Sequence, residues 1–141
     1  MVERLIVAGE RRLAETGERT AVVDPATGET VAEVAQAGPA EVEASLVAAH
    51  RVFEQRGAWD NPTVRGRVLQ RVAQAVWDRS EDLARLEVAD AGHPIADARW
   101  EADAAARTFE YYAGAANKHM GAVVPVQEPG LDVVLREPVG V

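Results

Sequence analysis

The sequence predicts an α+β fold: an N-terminal β-hairpin, three to four helices and a C-terminal β-hairpin arm. Two observations carry this. Short β-branched runs joined by turn residues occur near both ends, while between them apolar residues recur at helical spacing. The composition agrees with a packed chain: 141 residues, enough for one domain, with 48% apolar and 27% charged residues.

Leu5-Ile6-Val7 and Thr20-Ala21-Val22-Val23 read as short strands, with Ala8 to Gly17 as a polar connection. Asp24-Pro25-Ala26-Thr27-Gly28-Glu29 is a turn with a mechanism. Proline pre-sets φ, aspartate bonds the backbone ahead of it, and glycine supplies φ > 0. Val31 to Val34 then alternates as a half-buried strand does, completing the hairpin. Gly38-Pro39 opens the first helix, with proline at its tolerated first position. Val42, Leu46, Ala49 and Phe53 form its apolar stripe, and Gly57 ends it. Asn61-Pro62 opens the second helix, whose predicted buried face is Val64, Val68, Leu69, Val72 and Val76. Ser80 reads as the N-cap of a further helix, with Glu81 and Asp82 favourable in its first turn and Gly92 and Pro94 stopping it. The last long helix is expected from about Ile95 to Met120. Its alanines allow close approach to a neighbouring element, and Lys118 and His119 lie near its C-terminus. Val123 to Val126 and Leu131 to Arg136 are then extended, joined by Glu128-Pro129-Gly130-Leu131 as a type II turn. Such a hairpin is marginal alone, and its open edges invite pairing with another chain.

The net charge of −8 and the scatter of basic residues disfavour nucleic acid as a partner. No apolar run approaches the roughly 20 residues that span a bilayer. Leu5 to Gly9 is too short for a signal-peptide core, so the expected location is the cytoplasm. The absence of cysteine excludes disulfides, cysteine-ligated zinc and a cysteine nucleophile within these residues. His50, His93 and His119 show no metal-ligand spacing and read as structural, His93 within a Gly-His-Pro helix break. Acidic pairs such as Glu41/Glu43 and Glu81/Asp82 fall at helix starts and read as solvated faces. Tyr111-Tyr112 is explained better by packing than by base stacking. The sequence contains neither a G-x-G-x-x-G fingerprint nor a phosphate-binding G-x-x-x-x-G-K-[ST] loop nor a G-x-S-x-G elbow.

Several segments, in order, resemble the aldehyde dehydrogenase superfamily. Val23 to Glu29 resembles its "NPATGE" hairpin, with Asp24 in place of asparagine. Asp90-Ala91-Gly92-His93-Pro94 looks like its "DNGKP" helix break, with Ala91 and His93 as the departures. Tyr111-Tyr112-Ala113-Gly114 with Asn117-Lys118 resembles "YYAGWADK", Gly121 to Val126 is similar to "GxxxPV", and Arg136 to Val141 to "REPxGV". Each motif is weak alone; their order makes the signal strong.

The resemblance implies part of an α/β Rossmann-type fold. Residues 1–120 would be the N-terminal part of the dinucleotide-binding domain, and 121–141 an oligomerisation arm and the start of the next strand. It implies oxidation of an aldehyde to a carboxylic acid with NAD or NADP. In that family a cysteine thiolate attacks the aldehyde, the nicotinamide takes the hydride, and a glutamate-activated water releases the acid. Those groups would follow residue 141. The apolar ending Val139-Gly140-Val141, where a strand is beginning, reads accordingly as a cut within a longer chain. The resemblance thus implies no catalytic and no cofactor-binding residue here, and a chain inactive by itself. Its partners would be the missing C-terminal part of the same protein and, through the 121–137 arm, further copies in a homo-oligomer. In some family members a monovalent cation is held by a backbone carbonyl at the position of Val23 and a carboxylate at that of Asp103. Two other readings stand beside this: a stand-alone, non-catalytic assembly or binding module derived from the family, and a fragment of a CoA-acylating or phosphorylating semialdehyde dehydrogenase.

Overall fold

The computed structural model describes residues 2–141. The chain begins with β1 (Val2–Glu3), β2 (Leu5–Val7), β3 (Glu10–Arg12), β4 (Arg19–Val23) and β5 (Thr30–Ala35). The helices follow: α1 (Pro39–Glu54), a single 3-10 turn at Ala58–Asp60, α2 (Pro62–Asp78), α3 (Ser80–Ala91) and α4 (Ile95–Ala115). The arm β6 (Ala122–Val124) and β7 (Asp132–Val134) closes the order.

The hairpin β4–β5 forms as its turn chemistry dictates. Asp24 Oδ1 accepts from the Ala26 N–H at 2.7 Å, Gly28 has φ +76°, and the Asp24 carbonyl accepts from Gly28 N at 2.8 Å. Two strands escaped the sequence reading. β1 adds in parallel to β5, giving the sheet order β1-β5-β4. β3, within the expected polar connection, pairs antiparallel with β2 across Ala8-Gly9, both at positive φ. Such a two-residue hairpin turn needs positive φ at both positions. Only Gly9 announces it; the charged run Glu10-Arg11-Arg12 hides a strand that is largely exposed.

The core is an alanine seam. Ala73 of α2, Ala84 of α3 and Ala106 of α4 are fully buried, and Ala98 nearly so. Side chains this small bring the helix backbones together: a Cβ on Gly66 of α2 would lie 2.9 Å from the Ala113 carbonyl oxygen of α4. The predicted face of α2 faces inward, Val64, Val68, Leu69, Val72 and Val76 being half-buried. The stripe of α1 behaves otherwise: Val42, Leu46 and Ala49 are exposed and, with β2, line an open apolar hollow.

Three local expectations are corrected. Ser80 is the first residue of α3, not its cap; Arg79 holds that place and makes no side-chain capping bond. The chain passes from α2 to α3 with a single intervening residue, which leaves no extended position for a serine cap. α4 ends at Ala115 rather than Met120. A turn in which Lys118 N donates to the Ala115 carbonyl closes it, and Lys118 Nζ reaches the Gly114 carbonyl. The arm's connection is not a type II turn, because Gly130 is not at positive φ; residues 127–130 form an open bend. Every residue of both arm strands is exposed, and the strands are shorter than their apolar runs.

Candidate functional site

A groove of about 760 Å³ lies between the three-stranded sheet and helices α3 and α4. Val22, Val31 and Val34 form its sheet wall, and Leu83, Leu86 and Ala102 its helical wall. The alternation of β5 turns Ala32 and Val34 to one face, Val31 joins them where the β4–β5 register shifts, and helical spacing brings Leu83, Leu86 and Ala102 to the same hollow. Its charged lining residues are all acidic: Glu3, Glu87, Asp90 and Glu101.

His93, in the break between α3 and α4, meets two of them. Its Nδ1 lies 3.0 Å from Glu101 Oε2 and 3.7 Å from Glu87 Oε1. Glu87 comes from the last turns of α3 and Glu101 from the second turn of α4, while His93 sits in the break between the helices. Gly92 before it adopts the left-handed conformation, φ +72°, and Pro94 after it caps α4. The break is pressed against the β4–β5 turn, since a Cβ on Gly92 would lie 2.7 Å from Pro25 Cγ. Sequence spacing alone missed this cluster because its members come from two helices and a break, not from one repeated interval. An imidazole between two carboxylates binds protons or metal ions.

Val23 and Asp103 are not part of this cluster. Val23 ends β4, where the pairing register with β5 shifts between Val22 and Val23. Such a shift interrupts the regular ladder at the carbonyl that the resemblance assigns. Asp103 is half-buried on α4 and makes no ion pair among the described residues. The other two histidines remain apart: His50 pairs with Glu54 along α1 at 3.3 Å, and His119 lies beyond α4.

A dinucleotide would need a glycine-rich strand-to-helix turn with a free helix N-terminus. Among the described residues the strand-to-helix turn is β5 to α1, and its helix N-terminus is already occupied. Glu41 is buried there and accepts from Glu15 N and Gly38 N, both at 2.9 Å. These two backbone donors hold its carboxyl below the ordinary carboxylate range. The β5–α1 turn thus carries a buried carboxylate in place of a glycine-rich phosphate cradle.

Comparison with known proteins gives these elements their context. Residues 13–141 match the model of the aldehyde dehydrogenase family. The chain is 37% identical over 133 residues to the 3-sulfolactaldehyde dehydrogenase of Pseudomonas putida, covering 91% of this chain and 26% of that one. It is 36% identical over 141 residues to the NADP/NAD-dependent aldehyde dehydrogenase PuuC of Escherichia coli, covering 98% and 28%. The solved structure of a variant of the Bacillus cereus aldehyde dehydrogenase superposes with a TM-score of 0.91 at 27% identity, covering 99% of this chain and 29% of that one. The chain therefore spans about a quarter of the length of the curated relatives it matches. By the family match across nearly all its residues and by a fold that superposes on a family structure, this chain belongs to the aldehyde dehydrogenase family.

Proposed function

We propose that these residues are the N-terminal segment of an NAD(P)-dependent aldehyde dehydrogenase that oxidises an aldehyde to a carboxylic acid. In this reading the segment is structural. Residues 1–120 support the dinucleotide-binding domain and 121–137 form the arm through which subunits assemble. One observation carries the reading: a chain matched to the family over residues 13–141 spans about a quarter of its relatives and contains no cysteine. The thiolate chemistry the family uses has no nucleophile here. The exposed apolar surfaces support it too. Leu131, Leu135 and Val123 of the arm and the α1 stripe stand open to solvent, as surfaces awaiting a partner do. The natural occupants are the remainder of the same protein and a second copy.

The 141-residue chain alone is then inactive and binds no nicotinamide cofactor, in keeping with the occupied N-terminus of α1. Val23 and Asp103 contribute to a monovalent cation site completed by a residue outside these 141. The test compares the isolated chain with the longer polypeptide that carries it. Aldehyde-dependent reduction of NAD or NADP is expected only in the longer form. Turnover by the isolated chain overturns the proposal.

A further inference from the structure

We propose that Glu87, His93 and Glu101 form a binding site for a divalent transition-metal ion that ties α3 to α4 across the helix break. Their ligand atoms all lie within 4.8 Å of one another. With metal–ligand bonds of about 2.0–2.2 Å, adjacent ligand atoms on one ion lie roughly 3–3.6 Å apart. The 3.0 Å and 3.7 Å separations from His93 Nδ1 bracket that spacing, so small side-chain rotations close the site. Imidazole with two carboxylates suits zinc and its first-row neighbours better than calcium or magnesium, which prefer all-oxygen shells.

Two further features favour a cation over a simple ion pair. The carboxylates outnumber the imidazole, so even a protonated His93 leaves the cluster negative. Asp90 and Glu3 add to the field, and the groove has no lysine or arginine in its lining. The site is also held in shape before any ion arrives. Glu87 and Glu101 stand on helices locked by the buried alanines Ala84, Ala98 and Ala102, and His93 lies between a left-handed Gly92 and Pro94. Three donors leave coordination positions open to water, and all three side chains are near two-fifths exposed, so an ion can enter.

The test is calorimetric titration of the full chain with Zn²⁺, with thermal unfolding followed by circular dichroism. His50→Gln is the control, because His50 and Glu54 form another exposed imidazole–carboxylate pair. One saturable Zn²⁺ per chain is expected, with a thermal midpoint that rises on addition. His93→Gln and Glu101→Gln should each weaken binding about tenfold or more and remove the thermal response, while His50→Gln leaves both unchanged. Glu101→Gln is nearly isosteric and decides the matter if His93→Gln does not fold. Absence of saturable binding, or binding that Glu101→Gln leaves intact, overturns the proposal.

Discussion

Gly92 lies so close to Pro25 that a Cβ on the glycine would stand 2.7 Å from the proline Cγ, and Gly92 also has φ +72°. The end of α3 is thereby seated on the β4–β5 turn, which joins the helical layer to the sheet. Gly28 in that turn shares the left-handed conformation, φ +76°, but has open space around it. The pair separates two effects. Alanine at either site incurs about 1–2 kcal/mol of left-handed strain, offset by about 0.4–1 kcal/mol from a less flexible unfolded chain. Only at position 92 does the methyl also collide, and overpacking of this kind costs about 1–3 kcal/mol. Urea denaturation should therefore show Gly92→Ala less stable than Gly28→Ala by at least about 1 kcal/mol. Equal losses would mean that the Pro25 contact yields freely.

Glu41 ties the start of α1 to the loop after β3, and its carboxylate does so by accepting two backbone N–H groups. Its folded pKa is lowered from 4.5. A carboxyl depressed in the folded state contributes stability that is fully present above its unfolded pKa and is lost as pH falls through the folded one. Unfolding midpoints should thus decline as the pH drops below about 4.5. Glu41→Gln should melt lower at neutral pH, because an amide cannot accept both bonds with two oxygens, and its decline with acid should be shallower. Glu81 is held down to about 2, first by the Arg99 hydrogen bonds at 2.8 Å and 2.9 Å. That pair is half-exposed, so salt screens it, and Glu81→Gln should change the acid profile less as ionic strength rises.

Gly66 marks a close approach of α2 to α4. Alanine there improves helix propensity by about 1 kcal/mol. Against this, the new Cβ would lie 2.9 Å from the Ala113 backbone oxygen, which can move only if the helix moves. Overpacking against backbone costs about 1–3 kcal/mol, so the contact outweighs the propensity. Gly66→Ala should lower the denaturation midpoint. Gly114 has nothing near its absent Cβ and lies on the same pair of helices; Gly114→Ala should raise it. A stabilised Gly66→Ala would show that the helices separate at little cost.

Local chemistry was legible where one residue type imposes one geometry. The Asp24–Gly28 turn, the Pro39 and Pro62 helix starts and the Gly92 stop all stand where the sequence places them. What escaped was set by contacts between distant segments. β1 is a strand only because β5 offers an edge, and β3 only because Ala8 and Gly9 turn the charged run back on β2. The Glu87–His93–Glu101 cluster likewise depends on how α3 and α4 pack, which no spacing encodes. The α1 stripe shows the converse limit. Periodicity marks a face that will be covered, but not what covers it, and Val42 and Leu46 remain exposed here.

The arm makes the sharpest distinction between stability and assembly. Leu131 and Leu135 flank β7 and are 78% and 72% exposed, and the strands β6 and β7 are exposed along their length. Replacing both leucines with lysine removes little that the chain itself buries, and exposed substitutions of this kind usually change stability by no more than about 0.5 kcal/mol each. Lysine on an open edge, however, opposes pairing with another strand and leaves a charge to be desolvated there. The Leu131→Lys, Leu135→Lys double variant should therefore melt like the parent as an isolated chain. In the longer polypeptide it should shift sedimentation toward smaller species. Unchanged sedimentation of the longer form would remove the arm from the assembly surface, while a lower melting temperature of the isolated chain would mean that the leucines pack within it.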